Sequence, residues 1–169
     1  GLEELQAFSR ENKFEMRFVS PLILGRVVRV NGRPPKSDQL QRFPVRVSYR
    51  EKRIPSETIV QGRELPLKYE AGRPVEVSLE EGFAQRSQLA LGDTIDFDIQ
   101  GLALETKVTS LRKVKWTSFN PNFFFMMQPG VLEEAPKTWV ANVGFDGGAA
   151  EKVRLQYEIS RRFPDLSVI

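Results

Sequence analysis

Asp93, Asp96 and Asp98 in the stretch GDTIDFD are carboxylates close enough in sequence to suggest an oxygen-ligand cation site. Such a site draws its ligands from a turn, and an EF-hand loop adds a glycine at the bend and a terminal Glu. Here Ile95, Phe97 and Ile99 alternate with the acids, so the stretch reads as a strand whose Asp96 and Asp98 share an open face. No metal site is expected. Ser78 and Glu81 in SLEE have capping-box spacing, with Ser78 accepting from the Glu81 amide, and this explains the pair better than nucleophilic chemistry does. The chain has no Cys and no His, which removes Cys or His metal sites, thiol nucleophiles and Ser-His pairs. No titratable residues converge on a catalytic set, so no catalytic residue and no enzymatic activity are expected.

The 169 residues are 28% charged and 40% hydrophobic, the mix of a folded chain long enough to bury a core. The formal charge is +3, from 25 basic and 22 acidic residues. Basic residues gather at 42–53 and 111–115, but the excess is too small and too dispersed for a nucleic-acid footprint. No apolar stretch approaches the roughly 20 residues of a membrane span.

The elements follow from periodicity. Leu2, Leu5 and Phe8 predict an opening amphipathic helix with Glu3 and Glu4 in its first turn. KFEMRFV and LILGRVVRVNG read as two strands, and RPPKSDQLQ as a loop. FPVRVSYRE alternates Phe43, Val45, Val47 and Tyr49, which places Arg46 and Arg50 on a solvated face. A short strand at Val75 to Val77 should lead through the Ser78 cap into a helix of about three turns over SLEEGFAQRSQL. Ile95 to Val114 is a long hairpin turning at Gln100-Gly101, Thr138 to Phe145 a strand, AAEKVRLQYEISRRF a helix, and Asp165 to Ile169 a last strand. This order predicts an α+β fold with a mixed sheet, flanking helices and two lobes.

The run WTSFNPNFFFMMQPG does not alternate. Contiguous apolar residues mean a strand covered on both faces, which is the favoured reading of Phe123 to Met127. Trp116 and Phe119 are then candidates for a surface that meets a hydrophobic substrate or partner. Arg46, Arg50 and Arg53 are candidates for contact with an anionic partner or lipid headgroup, against the plainer reading of a solvated strand face.

The central run carries a resemblance. Glu81, Ala84, Leu89, Leu91, Gly92 and Asp93 are followed by Val108 to Arg112, Val114, Trp116, Ser118, Phe119 and Asn122 to Phe124, then by Pro129, Gly130, Leu132, Glu133 and Pro136. This pattern resembles the extracytoplasmic domain of FtsX-like, MacB-type ABC transporter permeases, in the YbbP branch of large permeases. Ser20-Pro21, Gly25-Arg26, Val30-Asn31-Gly32, Val60-Gln61-Gly62-Arg63 and Phe163 to Ile169 extend the likeness more weakly. Glu64-Leu65 departs from it, standing where that family has an aromatic pair.

The resemblance implies a MacB-type periplasmic core domain: a single extracytoplasmic domain with an α/β lobe from both chain ends and a β-rich lobe from the middle. It implies a bacterial inner-membrane protein with this domain on the periplasmic side, transmitting ATP-driven movement of membrane helices to a hydrophobic substrate, lipid, lipoprotein or partner protein. No cofactor is expected in this domain, since ATP would be hydrolysed by a separate cytoplasmic ATPase subunit. Implied partners are that ATPase, a second permease subunit in a homodimer or pseudo-dimer, and a periplasmic protein or lipid. In that family an extended strand precedes the first helix, so a sheet edge is expected to lack a strand here. The alternative is a stand-alone soluble binding module with a β-barrel-like core, for an acidic partner or nucleic acid.

Overall fold

The computed structural model describes residues 1–42, 44–116 and 120–168. The fold is α+β with a mixed sheet, and the chain divides into two compact units, one of Gly1–Pro21, Phe119–Pro121 and Thr138–Ile169, the other of Leu22–Ser118 and Asn122–Lys137.

The first unit holds α1 (Leu2–Glu11), the start of β1 (Glu15–Val30), β8 (Thr138–Gly144), α4 (Ala149–Arg162) and β9 (Leu166–Val168), with strand order β1-β8-β9 and β8 parallel to β9. Leu5 and Phe8 of α1 and Leu155 and Ile159 of α4 are buried together with Phe14, Ala141 and Leu166. The 3.6-residue repeat of both helices sets that shared face.

The second unit is a barrel. Its strands are the rest of β1, β2 (Val45–Tyr49), β3 (Glu57–Gly62), β4 (Val75–Glu80), β5 (Thr94–Ile99), β6 (Leu102–Val114) and β7 (Phe125–Met127), with short helices α2 (Asp38–Arg42) and α3 (Glu81–Arg86). The hydrogen-bonded order β2-β7-β4-β6-β5-β1 closes on itself because β2 also pairs with β1. Closure leaves these six strands no open edge between them. The seventh, β3, continues alongside β6 beyond the end of β5. Ile23, Val47, Val77, Leu79, Ile95, Phe97, Phe125 and Met127 fill the interior.

Two local irregularities shape which side chains face inward. Phe18 has φ 54, in the left-handed region that a bulky residue seldom occupies. Before it Phe14 and Met16 pack inward, and after it Val19, Ile23 and Val27 do, so the inward set changes from even to odd positions. This is why the sequence reads as two strands where the structure has one continuous 16-residue β1. In β6 the register against β4 slips between Val108 and Ser110, which places Leu111 in the core and Ser110 and Arg112 on the opposite face. Gly62 of β3 lies against this slip with φ +79, and a Cβ there would come within 2.0 Å of the Thr109 carbonyl oxygen.

Three further expectations are corrected. RPPKSDQLQ ends inside α2, whose Leu40 is buried in the barrel cluster and so repays the helical turn. Ser78 does not cap a helix: β4 runs on to Glu80, whose carboxylate accepts from the amides of Gly82 at 2.9 Å and Phe83 at 2.6 Å. Helix α3 is therefore shorter than expected and starts at Glu81, because the stronger carboxylate acceptor takes the cap and leaves Ser78 free for another task. The expected start of β2 at Phe43 lies outside the described residues.

The run FFFMM is a strand only from Phe125, with β2 parallel on one side and β4 antiparallel on the other. Phe125, Met126 and Met127 are all buried, as two-sided cover requires. Phe124 is half-buried and stacks on Phe83 with ring centroids 4.4 Å apart, outside the strand proper. Phe125→Ala should therefore lose about 3–5 kcal/mol of unfolding free energy in urea, and Phe124→Ala about 1–2 kcal/mol. Equal losses would show that the interior position is not the stronger anchor.

Candidate functional site

Arg112 is 1% exposed, and the barrel is built around satisfying it. Its Nε donates to Ser78 Oγ at 3.0 Å and its Nη1 to Glu57 Oε2 at 3.3 Å. Its Nη2 donates to the carbonyls of Ser78 at 3.1 Å, Phe123 at 2.9 Å and Phe124 at 3.1 Å. Two hydrogens serve three acceptors there, so one bond is shared. Ser110 Oγ donates to Ser78 Oγ at 2.7 Å, completing the polar floor under the guanidinium.

The charges balance locally. Glu57, also buried, pairs with Arg112 and with Arg50, and buried Glu80 adds a second carboxylate charge that favours the Arg112 cation. Burial pushes the Arg112 guanidinium down to about 10, with the nearby Arg50 charge adding to that and Glu57 and Glu80 opposing it. Burial also lowers Arg50, against the pull of Glu57. Both stay charged at neutral pH. A base whose folded value falls below its unfolded one costs stability at every pH below about 10, and the cost eases only as pH rises above that toward the ordinary arginine range. Net electrostatic energy is therefore a weak reason for the cluster, and its geometry is the stronger one.

That geometry fixes the non-alternating segment. Asn122 Oδ1 accepts from Ser56 Oγ at 2.9 Å, and the Phe124 carbonyl accepts from the Glu80 amide at 3.0 Å as well as from Arg112. The Arg50 guanidinium lies 5.7 Å from the centre of the Phe123 ring. Outward from the barrel, Phe97, Phe125, Phe83, Phe124 and Trp116 form a chain of ring contacts, with Trp116 edge-on to Phe124 at 5.5 Å. Trp116 is its exposed end, at 50%.

The structure separates the residues singled out in the sequence. Arg50 is corrected: it is not on a solvated face but sits in the buried pair with Glu57, whose charge permits its burial. Arg53 donates to the Glu64 carboxylate and, at 2.9 Å, to the Glu57 carbonyl, so it joins Arg50 around a small cleft that Lys52, Leu65 and Met126 also line. Arg46 stands apart on β2, exposed and opposite Leu24 of β1. Phe119 lies outside the described residues. Asp96 pairs with Arg29 at 3.0 Å, Asp98 accepts from the Gly101 amide, and Asp93 accepts from the Ala90 amide and the Asn31 side chain. Each aspartate of GDTIDFD therefore serves a turn or a strand pair.

Sequence reasoning missed Glu57, Ser78 and Arg112 as one cluster. The signal present was a lone Arg between core positions Leu111 and Val114. Ser110-Leu111-Arg112-Lys113 also spells the Ser-x-x-Lys spacing of some hydrolases. On a strand those two side chains leave opposite faces, and here Ser110 is buried on Ser78 while Lys113 is exposed, so they form no dyad.

Comparison with known proteins relates this α+β chain to the permeases of ABC transporters. Over 167 residues, 98% of the chain, it is 30% identical to the uncharacterized ABC transporter permease YbbP of Escherichia coli (strain K12). The chain spans 20% of that protein's length. No protein-family model matches the chain, and no solved structure does. Among the described residues no helix is long and apolar enough to cross a membrane.

Arg112→Met should cost about 3–5 kcal/mol in urea unfolding, because it leaves buried Glu57 with Arg50 as its one remaining cation among the described residues and takes the Nη2 donor from the Ser78, Phe123 and Phe124 carbonyls. Trp116→Ala should keep the cooperative transition and lose only about 1 kcal/mol. A Trp116→Ala chain that no longer unfolds cooperatively would make Trp116 part of the framework rather than a surface.

Proposed function

We propose that this chain is the extracytoplasmic domain of an FtsX-like, MacB-type ABC transporter permease. It performs no catalytic step, and it passes ATP-driven movement of membrane helices to a hydrophobic substrate, lipid, lipoprotein or partner protein. The observation that carries the reading is the 30% identity to the permease YbbP along 98% of the chain. Support also comes from Trp116, a half-exposed aromatic whose ring contacts run directly into the barrel interior, as a surface that must transmit force requires. ATP would be bound and hydrolysed by a separate cytoplasmic ATPase subunit, and the intact transporter would hold two permease copies or a pseudo-dimer. A stand-alone module for acidic partners or nucleic acid has less support, since Arg50 and Arg53 of the basic stretch are engaged by Glu57 and Glu64.

The chain has no cysteine, which makes a topology test direct. Lys152→Cys, at an exposed position of α4, is introduced into the full-length protein after any other cysteines are removed. A membrane-impermeant maleimide applied to cells with a permeabilised outer membrane should label it without lysis of the inner membrane, and an ATPase subunit should co-purify after detergent extraction. Labelling only after inner-membrane lysis, or purification without an ATPase, would contradict the reading.

A further inference from the structure

The cleft of about 340 Å³ between the β1–α2 connection and the end of α3 is lined by Val30, Asn31, Arg33, Pro34, Lys36, Leu40, Ser87, Gln88 and Leu89. No carboxylate is among its lining residues, and neither Arg33 nor Lys36 has an ion-pair partner among the described residues. The cleft of about 720 Å³ around Tyr69 is different, because its Arg63 and Arg73 are answered by its own Glu76 and Glu70. The larger cleft also holds Lys68 and Lys107, but its cations stand among carboxylates, whereas the lining of the smaller of the two is cationic with no carboxylate in it.

Ser87 is the second observation. It is 3% exposed, yet its hydroxyl makes no hydrogen bond within the described protein, and it is not among the atoms sealed away without a partner. A residue so buried whose polar atom is neither bonded nor enclosed opens that atom to the cleft it lines. Buried hydroxyls are ordinarily satisfied, so a ligand or ordered water is called for at this position. Gln88 beside it has φ 57, an uncommon left-handed conformation for a residue other than Gly, and its side-chain amide also makes no hydrogen bond within the described protein. The Asn31 amide, by contrast, is already used by Asp93 and Thr94.

We propose that this cleft binds a phosphate-type anion, held by Arg33 and Lys36 with donors from Ser87 and Gln88, over an apolar floor of Val30, Leu40 and Leu89. An anion with several acceptor oxygens suits two cations, a hydroxyl and an amide, and Arg in particular is matched to phosphate geometry. The apolar floor favours a phosphate ester with a carbon substituent over a bare ion. The proposal does not rest on the permease reading, since every residue in it belongs to the barrel unit.

The test is a titration of the isotope-labelled chain with inorganic phosphate at low salt, followed by heteronuclear NMR. Amide shifts should concentrate at Ser87, Gln88, Leu89 and Arg33. Arg33→Gln with Lys36→Gln should weaken binding by at least about tenfold, the worth of one charge-assisted hydrogen bond. Ser87→Ala should weaken it by several-fold without lowering the melting temperature, because that hydroxyl bonds to nothing in the protein. Flotation with phosphatidylglycerol vesicles separates the sources. Vesicle binding lost in the double variant identifies a lipid headgroup, and phosphate binding without vesicle binding identifies a free phosphate or soluble phosphoester. Either supports the site. Absence of shifts at these amides, or the same affinity in the double variant, overturns it.

Discussion

Arg112 is a full charge placed on the outer face of β6 and then covered. A buried guanidinium without its partners would cost several kcal/mol, so everything that covers it must supply an acceptor. Glu57 of β3, the Ser78 hydroxyl and carbonyl of β4, and the Phe123 and Phe124 carbonyls are those acceptors. One side chain therefore fixes β3, β4, β6 and the entry to β7 with respect to one another. The slip in β6 near Thr109 is the precondition, because without it Arg112 would face the apolar interior and Leu111 would not.

The same clamp explains how an apolar run that does not alternate is tolerated. β7 is only three residues long, with little ladder of its own to set its register. Its register comes from what precedes it: carbonyls held by Arg112, Asn122 held by Ser56, and the Phe124 carbonyl shared with the Glu80 amide. Glu80 in turn caps α3, whose Phe83 stacks on Phe124, so the polar clamp and the aromatic chain meet at the same residues. The exposed Trp116 ring is thus continuous with the best-held part of the barrel.

Much of this architecture was legible in the sequence, for physical reasons. Strict alternation at Ile95, Phe97 and Ile99 with Gln100-Gly101 after it specified the β5–β6 hairpin, and two-sided burial of Phe125 to Met127 follows from their contiguity. The misreadings occur where periodicity breaks locally. A left-handed Phe18 splits one strand into two apparent ones, and Glu80 displaces Ser78 as the cap because its carboxylate reaches two amides. The site was harder to see: Glu57 and Arg112 are 55 residues apart, and only the pairing of β3 with β6 brings them together. Arg50 read as solvated because alternation on β2 says nothing of the Glu57 that covers it.

The central claim is that Arg112 holds β7 in the barrel rather than stabilising the barrel in general. Native-state hydrogen exchange on the Arg112→Met variant tests it most directly. Protection of the Phe125, Met126 and Met127 amides should fall first, through a partial opening that leaves the β5–β6 hairpin protected, as expected of a locally released element. A uniform loss of protection across β4, β5, β6 and β7, or unchanged protection of β7, would contradict the account.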